Sequence, residues 1–174
     1  MADDFGHRIA IDTIRDGHRI DLMADEAERR AIANRLGLLS LKCLKAHVTL
    51  DRDGKGVRAS GRIGASLEQS CIATGDPVAE HVDEPFELMF LPEPAQAAAE
   101  QEVELGEGDC DVVFYEGGTI DLGIAIADTL ALAVNPYPRS AGADAALKEA
   151  GVLSESEASP FAALAKLKRG GDEP

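Results

Sequence analysis

The sequence predicts an α+β fold: an antiparallel β-sheet, a meander able to close toward a barrel, packed with a buried helix. A flanking N-terminal helix and a C-terminal helical tail complete it. Three observations carry this. Residues 57–71 alternate throughout, with Val57, Ala59, Gly61, Ile63, Ala65 and Leu67 on one face. Arg58, Ser60, Arg62, Gly64, Ser66 and Glu68 take the other, which is the period of a half-buried strand. After a turn at Thr74-Gly75-Asp76-Pro77, residues 78–91 run back with Val78, Val82, Phe86, Leu88 and Phe90 as their apolar members. Finally, Asp121–Val134 is apolar around most of its circumference, as expected for a helix packed on more than one side.

In chain order, His7–Ile14 alternates weakly and suits an edge strand, and Asp16-Gly17 turns the chain. Met23–Leu36 has acids at Asp25, Glu26 and Glu28, then bases at Arg29 and Arg30, matching the helix dipole. Ala24 or Asp25 can start this helix and Gly37 can stop it. Leu38–Leu50 reads as a strand, and the loop from Asp51 to Gly56 joins it to 57–71. Arg58 and Arg62 are expected to pair with acids such as Glu80 or Glu84 across the next hairpin. Pro92–Asp109 is an acidic, Ala-rich loop with at most a short helix over Ala95–Val103. Cys110–Tyr115 reads as a short buried strand, turned at Glu116-Gly117-Gly118. Asn135-Pro136-Tyr137-Pro138 stops the long apolar helix. Ala143–Ala150 suits one helical turn or two. Ser159 to Arg169 has Ser at a cap, Pro at the first helical position and bases at its end. Its ridge is Phe161, Leu164, Leu167 and Lys168; such a short helix needs its own domain or a partner to dock on. The expected organisation is a single domain over 1–140 and a flexible tail over 141–174, with the amphipathic helix at 159–169.

Composition narrows the function classes. The chain has 174 residues, 45% of them hydrophobic but only 4% aromatic, so the core should be aliphatic. No apolar run approaches the ~20 residues of a membrane span, and no secretory leader is evident. Three well-spaced cysteines form no disulfide framework, so a cytoplasmic location is expected. The net charge of −15 comes from one region: 16 of the 32 acids lie between Ile63 and Pro138, where there is no Lys or Arg. Such a field repels nucleic acid. It either keeps the surface solvated or receives a basic protein partner.

Candidate sites are few. Cys71 has Thr74, not cysteine, three residues on; Cys43 and Cys110 are distant, and His81 is a single further donor. Four tetrahedral zinc ligands are not assembled. As a nucleophile Cys71 would need a lowered pKa, and its acidic neighbourhood should raise it. His47 lacks a Ser/Asp constellation. Asp121 and Asp128, seven apart, share a helix face; they could act as acid and base, or cap the helix and meet water or a basic partner. Phosphate loops, HExxH and GxSxG are absent, as is an aromatic RNA-binding platform.

Four stretches, taken in order, resemble the YceD family, the bacterial large ribosomal RNA subunit accumulation proteins, and most closely the alphaproteobacterial branch. They are Gln69–Val78 (QSCIATGDPV); Phe86–Phe90 (FELMF); Ile120-Asp121-Leu122 with Leu130-Ala131-Leu132; and Ser159–Leu167 (SPFAALAKL). The resemblance implies a cytoplasmic, non-enzymatic factor for large-subunit rRNA accumulation. Many members carry Cys-x-x-Cys at the first stretch and some have further cysteines near the C-terminus; here Thr74 replaces the second and Asn135–Gly151 has none. Combined with the charge, the expectation is a binding module for a basic protein or ribosomal assembly partner, without cofactor. Its contacts would be Asp121, Asp128, Phe161, Leu164, Leu167 and Lys168. The alternative is a small metal- or thiol-dependent enzyme, or a zinc module that has lost part of its ligand set.

Overall fold

The computed structural model describes residues 5–54, 56–93 and 111–152. The strands are β1 (Arg8–Ala10), β2 (His18–Met23), β3 (Ser40–Asp53), β4 (Gly56–Ser70), β5 (Pro77–Pro92), β6 (Asp111–Tyr115) and β7 (Thr119–Asp121). The helices are α1 (Glu26–Leu36), α2 (Leu122–Ala133) and α3 (Ala143–Glu149), with a short 3₁₀ turn at Ile11–Thr13. They divide into two compact units. One draws on Met1–Gln69 and Ala79–Pro136, the other on Ser70–Val78 and Tyr137–Pro174.

In the first unit, β2-β3-β4-β5-β6 form one sheet in that order, and β1 pairs with β7 in a second. The fold is therefore α+β, and the larger sheet is open, with β2 and β6 at its edges, so it does not close into a barrel. The expected meander is β3–β4–β5. Side-chain bonds Arg58–Glu87, Arg62–Asp83 and Ser66–His81 run in opposite chain order along β4 and β5, as in an antiparallel pair.

The alternation of β4 does what its sequence predicts: Val57, Ala59, Ile63, Ala65 and Leu67 are at most 1% exposed. They meet Leu44, Ala46, Val48 and Leu50 of β3, and Val82, Phe86, Leu88 and Phe90 of β5. α2 seals this layer with Leu122, Ala125, Ile126, Ala127 and Leu130. At its first turn Gly123 lies so close to the Phe5 carbonyl that a Cβ would stand 1.6 Å from that oxygen. The helix is thus packed on a second side as well.

α1 starts with a capping box: Asp25 accepts the Glu28 N–H at 2.9 Å, and Glu28 accepts the Asp25 N–H at 2.7 Å. It ends at Gly37 with φ of 67°, a left-handed conformation that glycine adopts without a Cβ penalty. Ile32, fully buried, joins the core.

Four expectations need correction. Only Arg8–Ala10 of the 7–14 stretch is a strand, because Ile11–Thr13 tightens into a 3₁₀ turn. β2 was not anticipated, since HRIDLM has only Ile20 and Leu22 facing in. β6 is an edge strand, not a buried one, and pairs with β5 in parallel, so the sheet is mixed. Arg58 and Arg62 pair with Glu87 and Asp83 instead of Glu80 or Glu84. Glu80 and Glu84 share the parity of buried Val82 and Phe86, so odd-numbered acids meet the outward arginines. The predicted helices at 95–103 and 159–169 lie outside the described residues.

Gly61 marks a close approach within the sheet: an added Cβ would lie 1.9 Å from the His47 carbonyl oxygen. Gly61→Ala should therefore force β3 and β4 apart and lower stability by about 3 kcal/mol, the upper end of overpacking costs. Urea denaturation followed by circular dichroism measures this; an unchanged midpoint would contradict the contact.

Candidate functional site

α2 places Asp121, Ile124 and Asp128 on one face, three and four residues apart, as helical geometry requires. This face, together with β6, the Glu116-Gly117 turn and β7, bounds a cavity of about 620 Å³ in the first unit. Val113, Phe114, Tyr115, Ile124 and Ala125 supply its apolar wall, and Glu116, Asp121 and Asp128 its carboxylates, with Arg8 as its one base. Phe114 is 58% exposed and Ile124 39%, unusual for apolar side chains beside a formed cavity.

The two aspartates differ. Asp121 is the N-cap of α2: it accepts the Ile124 N–H at 3.2 Å, the His7 N–H at 3.2 Å and the Arg8 Nε–H at 3.3 Å. It therefore ties β1, β7 and α2 together. Asp128 stands a turn and more further on, more exposed, and pairs with Arg35 of α1 at 3.2 Å. At the β6 end, Glu93 and Glu116 are hydrogen-bonded to each other, and this, with their mutual repulsion, raises the Glu93 carboxyl above the ordinary carboxylate range. Sharing a proton relieves two like charges brought together. Phe161, Leu164, Leu167 and Lys168 lie outside the described residues.

The outward face of the larger sheet is different in kind. Register places Asp21 opposite His47 and His47 opposite Arg62. Asp21 and His47 bond at 2.6 Å, and Arg62 and Asp83 at 2.5 Å. The hydrogen bond with Arg62, and then its charge, hold Asp83 below its usual range, while Asp83 raises Arg62. Lys42 and then Ser40 similarly lower Glu68 by hydrogen bonding. Charges on this face are thus satisfied by one another. His47 and His81 belong to it, His81 lying 3.2 Å from the Ser66 hydroxyl.

In the second unit, the turn after β4 is closed by bonds from the Cys71 N–H to the Asp76 carbonyl and from the Gly75 N–H to the Cys71 carbonyl. Cys71, 3% exposed, receives the Ser140 N–H at 3.3 Å. Hydrogen bonds from the Ser140 hydroxyl, the Ser140 N–H, Thr74 and Ala73 bring its thiol down to about 6. The expectation that acidic surroundings would raise it is overturned, because short-range donors outweigh more distant charges. One sulfur with the Thr74 and Ser140 hydroxyls is not a zinc donor set. Among the described residues no three His, Cys, Asp or Glu converge as metal ligands.

The family model of the large ribosomal RNA subunit accumulation protein YceD matches residues 59–168. The chain belongs to the YceD family. The match covers β4, β5, β6, β7, α2 and α3, and therefore the cavity residues other than Arg8. Membership of the YceD family makes this a ribosome-related protein, and the family is not one of known enzymes. No curated protein and no solved structure matches the chain. Among the described residues no helix is long and apolar enough to cross a membrane.

Sequence reasoning placed Asp121 and Asp128 together but missed Phe114, Glu116 and Arg8. The alternation of Val112 and Phe114 against Val113 and Tyr115 was available, but an unbroken apolar run reads as buried.

Asp121→Ala should cost about 1 kcal/mol through loss of the cap, whereas Asp128→Ala should leave the thermal midpoint within experimental error. Cys71 gives a pH test. Its folded value of about 6 lies below the ordinary 9.0, so the thiolate favours the folded chain. That contribution is complete above pH 9, declines as pH falls, and is gone below about 6. Thiolate absorbance should titrate near 6 and shift upward in Ser140→Ala; a midpoint unaffected by the substitution would contradict the assignment.

Proposed function

We propose that the chain is a non-catalytic cytoplasmic factor in accumulation of the large-subunit ribosomal RNA, acting by holding a basic protein of the assembling ribosome. The observation that carries this is the coincidence of two facts. The YceD match runs over 59–168, and within it every residue from Ile63 to Pro138 is neutral, His or acidic. Ribosome assembly supplies both polyanionic RNA and basic proteins, and this charge selects the latter. Asp128 and Asp121 would face the partner's cations, while Phe161, Leu164, Leu167 and Lys168 would offer an apolar ridge to a groove on the same partner.

A second reading has one observation in its favour. The lowered thiol of Cys71 suits thiol chemistry. Normal rRNA accumulation in a Cys71→Ser strain would remove it.

The test of the main reading uses the full-length chain, immobilised and challenged at moderate salt with mixed ribosomal proteins and with total rRNA. Basic proteins should be retained, released as salt rises, and lost in an Asp128→Lys, Glu116→Lys double variant. In cells, loss of the chain should lower large-subunit rRNA relative to small-subunit rRNA. Retention of bare RNA alone would refute the reading.

A further inference from the structure

We infer that the free edge of β6 is a strand-addition site for an extended partner segment in which apolar and basic residues alternate. This deepens the functional reading above and rests on it.

β6 ends the five-stranded sheet, hydrogen-bonded to β5 from Leu88–Asp111 to Pro92–Tyr115. Its other edge has no strand beside it among the described residues. After the Glu116-Gly117-Gly118 turn the chain leaves β6, and β7 pairs with β1 instead. The two sheets therefore part, and the cavity lies in the opening, floored by α2. An edge of five residues offers about 16 Å of backbone donors and acceptors. Unpaired edges are templates for added strands, and natural proteins guard them with inward charges, prolines or bulges. β6 (DVVFY) has none of these along Val112–Tyr115.

Period-2 geometry then specifies the occupant. Residues added beside Val112 and Phe114 on the outward side meet exposed apolar surface, continued by Met89 and Leu91 opposite them in register. Residues of the other parity point at α2, where Asp128, Asp121 and Ile124 stand. Lys or Arg suits those positions, its stem covering Ile124 and its head reaching Asp128. Glu116 and Glu93, bonded to each other rather than to a base, take a further cation at the end of the strand. A second copy of β6 fits poorly, since it would bring its own carboxylates to these.

The probe is a labelled Lys-Val-Lys-Val-Arg-Val-Lys peptide titrated into the full-length chain and read by fluorescence anisotropy. Binding should weaken at least tenfold when Glu replaces its basic residues, and when alternate amides are N-methylated to remove strand donors. Phe114→Asp, at an exposed position that should leave the circular dichroism unchanged, should also cost at least tenfold. Hydrogen exchange in β6 should slow on binding. Binding indifferent to N-methylation or to Phe114→Asp overturns the site. So does a dimer abolished by Phe114→Asp, or β6 amides already protected in the free monomer. If ribosomal proteins are retained equally by Phe114→Asp, only the groove assignment fails; if bare RNA alone is retained, the functional reading fails first.

Discussion

The first unit depends on one apolar contact: α2 against the inner face of the five-stranded sheet. Ile126 and Leu130 are fully buried, as are Leu44, Leu50, Val57 and Ile63 beneath the same layer. With no Trp in the chain and only Phe86 and Phe90 as buried aromatics of the sheet, aliphatic side chains carry the packing. Each fully buried Leu or Ile contributes about 1.5–3 kcal/mol. Everything that defines the cavity follows from how α2 is seated. Asp121 fixes its first turn to His7 and Arg8, and Gly123 lets that turn approach the chain at Phe5. The opposite face of the helix is then left to Ile124 and Asp128, beside β6.

Local rules made the long elements legible. A strand with unbroken alternation has one way to bury its apolar side, and 57–71 took it within a residue or two of the expected ends. The α1 boundaries were written in Asp25, Glu28 and Gly37, whose roles involve only neighbours in sequence. The pairing of Arg58 and Arg62 was misjudged although the information was present. Glu80 and Glu84 have the parity of Val82 and Phe86, and counting by twos excludes them.

What stayed hidden was non-local. β2 carries too few apolar residues to announce itself and is a strand because β3 offers an edge. The four-residue apolar run in β6 signals a strand but not its neighbours; only the topology reveals that one side is empty. Cys71 and Ser140 are 69 residues apart, so no spacing argument could have supplied the donors that stabilise the thiolate. Asp121 was recognised both as a cap and as a contact, yet its bonds to His7 and Arg8 come from a segment whose pairing with β7 was not anticipated.

The row Asp21, His47, Arg62, Asp83 has a consequence beyond its own stability. Alternating signs at contact distance cancel within a few ångströms, so the outward face of β2 to β5 projects little potential into solvent. Around β6 and α2 the carboxylates outnumber their bases, and the potential there has no such local compensation. An approaching polycation would experience a torque rather than a uniform pull, and would be turned toward one end of the sheet before touching it. The paired charges on the broad face thus sharpen the molecule's electrostatic aim by staying silent at a distance.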